Sequence, residues 1–194
     1  LLVTPYLKNG NILQYSKLYP GHSLRLLTET ASTMSSLHSL GILHGALRSS
    51  NVLVDDAGKA VVADFGLWEY RRDVGIDGLA RNGWRRWTAP EVLRGGNLKP
   101  HSDVYSFAMT MYEILSGNMP FHNTLNDPDD PNSGFDPDTE ESDIARLVLF
   151  DSIRPTRPSH CPDKFWALIE SCWIQDPLQR PSFSSIEGQL QTLL

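Results

Sequence analysis

Three short strings in this chain hold side chains able to do chemistry. His44-Gly45-Ala46-Leu47-Arg48-Ser49-Ser50-Asn51 packs an imidazole, a guanidinium and a carboxamide into eight residues; Asp64-Phe65-Gly66 supplies a carboxylate before a glycine; Ala89-Pro90-Glu91 supplies another. Carboxylate and amide oxygens are the donors that hard divalent cations prefer. Taken singly each string is weak. Asp64 can simply cap a turn, Asn51 can bond backbone, and a lone His44 is by default a satisfied core histidine.

The strings need elements to position them. Ser23 precedes a segment with Leu24, Leu27, Ala31 and Met34 at helical spacing, ending near Gly41, which predicts a long amphipathic helix with a glycine stop. Asn51-Val52-Leu53-Val54 and Ala60-Val61-Val62-Ala63 flank Asp55-Asp56-Ala57-Gly58. Two short apolar runs around a turn signal predict a small hairpin. Ser102 to Leu115 is apolar on nearly all sides and meets Gly117, as a buried central helix would. Further helices are expected over 143–152, 163–173 and 183–194. The fold class is therefore mainly α, one helical domain around a buried helix with a small β-hairpin.

Charge and composition narrow the function classes. The net charge of −6 is concentrated between His122 and Asp143, where eight acids (Asp127, Asp129, Asp130, Asp136, Asp138, Glu140, Glu141, Asp143) meet no Lys or Arg. Outside that stretch 17 basic residues face 15 acids. With Pro128, Pro131 and Pro137, the stretch reads as an acidic surface insertion, a solvated loop. No apolar run reaches the ~18 residues a membrane span requires, no signal pattern opens the chain, and nothing indicates nucleic acid as a partner. A cytoplasmic domain is expected. Cys161 and Cys172 are too few for a disulfide framework and lack metal-ligand spacing.

The order of the strings is more specific than any one of them. With 13 residues from Asn51 to Asp64 and 25 from Asp64 to Ala89, it resembles the catalytic loop, the metal-binding DFG turn and the activation-segment end of protein kinases. The resemblance extends along the chain. Leu2 to Gly10 is similar to the hinge that follows the small lobe, Ser102-Asp103-Val104-Tyr105 to the start of the central helix, and Cys172-Trp173 with Arg180-Pro181 to the closing helices. Trp87, the Cys-Trp pair and the Arg-Pro-Ser-Phe ending resemble the tyrosine-kinase-like branch. That branch acts mostly on Ser and Thr, but Arg48 is equally compatible with a tyrosine-kinase pattern.

The resemblance implies a kinase C-terminal lobe and roles for particular residues. Asn51 and Asp64 match the Mg²⁺ ligands. Thr4 and Tyr6 in the hinge and Leu53 beneath the base match the adenine contacts. His44 and Phe65 match a packed spine, Gly66 the DFG glycine, Asp103 the aspartate that holds the catalytic-loop backbone, and Glu91 with Arg180 an ion pair between activation segment and closing helices. Arg48 lies in the catalytic loop.

Ala46 stands where the family has the aspartate that accepts the substrate's hydroxyl proton, and alanine has no acceptor. Losing a positioned base costs about 10²–10⁴ in rate. Gly45 replaces an arginine that many relatives pair with a phosphorylated loop. From Asp64 to Glu91 the only hydroxyls are Tyr70 and Thr88, among five arginines (Arg71, Arg72, Arg81, Arg85, Arg86) that read as an exposed basic loop. The glycine-rich loop, the strand lysine and its glutamate partner are expected upstream, in an N-terminal lobe that would be this lobe's first partner. ATP and Mg²⁺ are implied only with that lobe, and none is expected for this chain alone. The reading is a pseudokinase half acting as a binding or regulatory module in signalling, with protein partners. The alternative is a slow or unconventional Ser/Thr or Tyr kinase when joined to its small lobe.

Overall fold

The computed structural model describes residues 4–66, 84–122 and 137–194. Its first helix, α1 (Ile12–Leu18), was not anticipated from apolar spacing. Its signal is a capping box: Gln14 N donates to Asn11 Oδ1 at 2.9 Å and Asn11 N to Gln14 Oε1 at 3.2 Å, satisfying two orphan donors reciprocally. A 3₁₀ turn at Pro20–His22 leads into α2 (Ser23–Ser39), which buries Leu26, Leu27, Ala31 and Met34. Leu24, expected on the same face, is only partly buried.

Strands β1 (Val52–Val54) and β2 (Ala60–Val62) form an antiparallel pair in the register Val52↔Val62, Leu53↔Val61, Val54↔Ala60. Period-2 alternation turns Val52, Val54 and Val62 into the core and leaves Val61 exposed. Asp55 Oδ1 closes the turn by accepting from Ala57 N and Lys59 N at 2.9 and 2.8 Å, and Gly58 takes φ 75°. From α2, Arg25 donates to the Gly58 carbonyl and Glu29 accepts from Ala60 N, both at 2.8 Å. The hairpin is thus fastened to the helix that precedes the catalytic-loop string.

Two short helical segments, the 3₁₀ turn Arg85–Trp87 and α3 (Pro90–Leu93), precede the central helix α4 (Pro100–Ser116). Proline suits the first helical position, so α4 starts at Pro100, two residues before the apolar pattern. Every residue from Ser102 to Glu113 is buried, and Gly117 ends the helix at φ 73°. A helix buried all round must be wrapped by others: α4 packs against α6 (Asp163–Cys172), while α2 lies along α7 (Phe183–Gln191).

Two expectations are corrected. Helix α5 spans Pro137–Leu149, so it begins inside the acidic stretch read as a loop. Pro137 opens it and acids follow in sequence, the order that the helix dipole favours at an N-terminus; the rest of that stretch lies outside the described residues. Arg86 is not part of an exposed basic loop: it is 4% exposed, and Nη1 donates to the Pro120 carbonyl at 2.6 Å. Arg71, Arg72 and Arg81 lie outside the described residues. Phe65, matched by resemblance to a spine that ties two lobes together, is 43% exposed in this chain, whereas its companion His44 is fully buried.

Candidate functional site

The loop from His44 to Asn51 is pinned from below by one carboxylate. Asp103, fully buried near the start of α4, accepts from His44 N through Oδ2 and from Gly45 N through Oδ1, both at 2.8 Å. His38 Nε2 lies 3.0 Å from Oδ2. Two backbone N–H groups on one buried carboxylate are charge-assisted bonds that fix the loop's direction. Gly45 takes φ 75°, a left-handed conformation that glycine adopts without strain.

Downstream, the loop folds onto itself. Asn51 Nδ2 donates to the Ala46 carbonyl at 2.7 Å, and Asn51 N donates to the Arg48 carbonyl at 2.9 Å. The amide is thereby oriented, with Ser50 Oγ, at 3.4 Å, as the one donor to Oδ1 among the described residues. Ala63 N donates to the Asn51 carbonyl at 2.9 Å, so the strand ladder brings Asp64 next to this loop. Gly66 N donates to the His44 carbonyl at 3.3 Å and closes the other side. Asp64 is exposed and sits at φ 59°, a conformation that is uncommon for any residue but glycine and that concentrates at functional sites.

Asn51 and Asp64 therefore offer an oriented amide oxygen and an exposed carboxylate that makes no ion pair among the described residues. Two hard oxygens fit Mg²⁺, which usually keeps one or two protein ligands and takes the rest from phosphates and water. Ala46, whose carbonyl accepts from the Asn51 amide, is half-buried and presents a methyl group. Arg48 is half-buried as well.

His44 is neutral. Burial pushes its pKa below the ordinary 6.5 despite the nearby Asp103 carboxylate. Its Nδ1 accepts from Ala46 N at 3.3 Å, which places the proton on Nε2, buried and within no hydrogen-bond distance of an acceptor among the described residues.

The remaining expected residues divide between the loop's surroundings and the outer surface. Thr4 and Tyr6 are exposed, Tyr6 at 90%. Their strip is tied to the hairpin by Val54 N donating to the Gly10 carbonyl and Asn9 Nδ2 to the Asp55 carbonyl. Leu53, bridged to Asn11, is half-buried on the hairpin face shared with Val61. Glu91 and Arg180 meet in a two-pronged pair, Nη1 to Oε1 at 2.8 Å and Nη2 to Oε2 at 2.9 Å.

Sequence reasoning missed Glu113. This carboxylate, 5% exposed on α4, accepts from Ser49 N at 3.3 Å and from Trp87 Nε1 at 3.2 Å, so it joins the catalytic-loop string to the segment before Ala89. Burial raises its pKa, against the hydrogen bonds and Arg48. A charge inside an otherwise apolar helix was the available signal.

Residues 1–190 match the family profile described as protein tyrosine and serine/threonine kinase. Among curated proteins the chain is 33% identical to a dual specificity protein kinase, pyk3, of Dictyostelium discoideum, over 99% of this chain and 14% of that protein. It is 35% identical to a light-sensor protein kinase of Ceratodon purpureus, over 87% of this chain and 14% of the other. It is 29% identical to the serine/threonine-protein kinase STY17 of Arabidopsis thaliana, over 100% of this chain and 32% of that protein. The chain thus spans between a seventh and a third of the length of these relatives.

Proposed function

Because the chain belongs to the family of protein tyrosine and serine/threonine kinases, we propose that it is the C-terminal lobe of a tyrosine-kinase-like pseudokinase, a protein-binding or regulatory module of cytoplasmic signalling. The observation that carries this reading is Ala46. Its loop is held on both sides as a catalytic loop requires, by Asp103 before it and Asn51 after it, yet the side chain at its centre has no proton acceptor. Protein kinases use ATP and Mg²⁺ in general; here Asn51 and Asp64 would hold the cation, which when bound neutralises phosphate charge.

In this reading each residue of the chain keeps a definite task. Asp103 and Gly45 aim the loop. Asn51 and Asp64 present oxygens toward the phosphates, and Leu53 with the Thr4–Tyr6 strip receives the base. An N-terminal lobe supplied by the parent protein covers the exposed Val61, Phe65 and Tyr6. The methyl of Ala46 leaves the substrate hydroxyl unoriented and its proton without a destination. Nucleotide then serves to brace the two lobes, and the signal passes through protein contacts.

A second reading rests on the same donor pair. With both cation ligands kept, phosphoryl transfer relying on positioning and metal electrostatics would continue slowly without a base. One substitution separates the two. In the protein joined to its N-terminal lobe, Ala46→Asp is expected to raise phosphoryl transfer about 10²-fold or more, and to leave nucleotide affinity unchanged or weaker. Activity of the unsubstituted protein equal to Ala46→Asp, and abolished by Asp64→Asn, would overturn the pseudokinase reading.

A further inference from the structure

Asp103 has a third partner besides the two backbone groups of the Ala46 loop. His38, on α2, reaches Asp103 Oδ2 through Nε2 at 3.0 Å, with 13% of the imidazole side chain exposed and none of the aspartate's. A carboxylate that already holds two backbone N–H groups can only accept, so Nε2 carries the proton and Nδ1 of the neutral ring keeps a lone pair. That second nitrogen has no hydrogen-bond partner among the described residues. It is open to solvent rather than sealed like His44 Nε2.

His38 opens onto a cavity of about 290 Å³ between the C-terminal turn of α2 and the first turns of α4 and α7, at the lower end of the range for pockets that hold one small ligand. Pro100 and Val104 on α4, with Pro181 and Phe183 at the start of α7, give it apolar walls. The Phe183 ring meets His38 in a T-shaped contact, centroids 5.0 Å apart. Of the serines that line it, Ser39 Oγ is committed to the Ser36 carbonyl and Ser182 Oγ accepts from Ser185 N, while Ser35 and Ser184 add hydroxyls. No Lys, Arg, Asp or Glu is in the lining, and His101 is its one other titratable residue.

These groups select a ligand by what they lack. Without a lysine or arginine in the lining an anion finds no fixed counter-charge, and without a carboxylate a cation finds none. What Nδ1 lacks is a donor, and the Asp103 carboxylate behind the ring raises its basicity. Two prolines, a valine and a phenylalanine suit a flat apolar body. A ring with one hydroxyl meets both demands.

We propose that this cavity binds a phenol, with the ring among Pro100, Val104, Pro181 and Phe183 and the hydroxyl donating to His38 Nδ1. The site is separate from the cation ligands, since neither Asn51 nor Asp64 lines it. It is nevertheless one carboxylate away from the Ala46 loop, because the Asp103 that receives His38 also holds His44 N and Gly45 N.

The test titrates p-cresol into the protein joined to its N-terminal lobe, at mildly alkaline pH and read by ligand-observed NMR, with 4-methylanisole as the comparator that has the same ring and no donor. p-Cresol is expected to bind saturably, about threefold to tenfold more tightly than 4-methylanisole, the size of one hydrogen bond. Ser184→Trp, at an exposed lining position, should abolish binding; Ser35→Trp fills the cavity from α2 and serves if the first variant does not fold. His38→Gln keeps a donor for Asp103 but lacks Nδ1, and should bring the two probes to equal affinity. N-acetyltyrosine amide identifies the source of the phenol: binding like that of p-cresol assigns the cavity to a tyrosine side chain of a protein, and refusal assigns it to a free phenol. Absence of saturable p-cresol binding overturns the proposal, as does equal affinity for 4-methylanisole in the unsubstituted protein. Binding that survives the cavity-filling tryptophan in a folded variant overturns it as well.

Discussion

Arg180 and Glu91, 89 residues apart, form a pair in which all five guanidinium N–H groups find an acceptor. Two go to the Glu91 carboxylate, and the other three to the carbonyls of Ile174, His101 and Gln175. The Arg180 side chain is fully buried, and Glu91 also accepts from Ser102 Oγ at 2.9 Å. This one side chain joins α3, the start of α4 and the approach to α7. Arg180→Leu removes the guanidinium from three carbonyls and leaves the Glu91 carboxylate with only the Ser102 hydroxyl as a donor among the described residues. A loss on the order of 3–5 kcal/mol is expected for breaking a buried pair. The denaturant midpoint measures it, and an unchanged midpoint would contradict this account.

Burial pushes the Glu91 carboxyl up, but the Arg180 hydrogen bonds and charge outweigh it and hold its pKa below the ordinary 4.5. As pH falls below about 4.5 the unfolded chain takes up the proton first, so the pair's contribution is present above that value and lost below it. Glu113 runs the other way. Burial, only partly offset by Ser49, Trp87 and Arg48, raises its pKa above 4.5. The folded chain then takes up that proton first, and the cost of the buried charge is relieved on acidification. Glu113→Gln should therefore be more stable than the parent at pH 7, with the difference shrinking toward pH 4.5. Urea titrations at a series of pH values would show this, and a variant less stable at pH 7 than at pH 5 relative to the parent would refute the sign.

Tyr105 lies fully buried between the guanidinium groups of Arg154 and Arg180, each 5.2 Å from the ring centre. Burial pushes its hydroxyl up to about 12, against the two arginines, and the hydroxyl has no hydrogen-bond partner among the described residues. Tyr105→Phe keeps the ring between the cations and removes the orphan. A gain of about 1 kcal/mol is expected from the relieved desolvation cost. Thermal melts would register it, and a loss of stability would mean the hydroxyl has a bound partner.

Gly45 combines φ 75° with a backbone bond to Asp103. Any Cβ there pays the left-handed penalty, so Gly45→Ala should cost about 1–2 kcal/mol. The same substitution at the exposed Gly21, which has nothing within 4 Å of an added Cβ and no positive φ, should cost much less. Paired denaturation curves of the two variants provide the comparison.

Much of the helical frame was legible because burial leaves a periodic trace. The run from Val104 to Ile114 announced a wrapped helix, Gly117 its end, and the apolar runs around Asp55–Gly58 a hairpin. Composition misled where it averaged over a boundary: the acids of 138–143 read as a loop although Pro137 opens a helix there. What the sequence by itself determined was the longer helices, the hairpin and the residue types available at the Ala46 loop, since local spacing and side-chain chemistry are local properties; the short α1 and α3 carried too little apolar spacing to announce themselves. Only the tertiary structure decided which distant groups converge. It brought Asp103 under Gly45 and Glu113 against Ser49 and Trp87, buried Arg86 on the Pro120 carbonyl, and left Phe65 exposed. The physical reason is that the partners of a buried charge are chosen by packing across the chain, where no periodic signal records them.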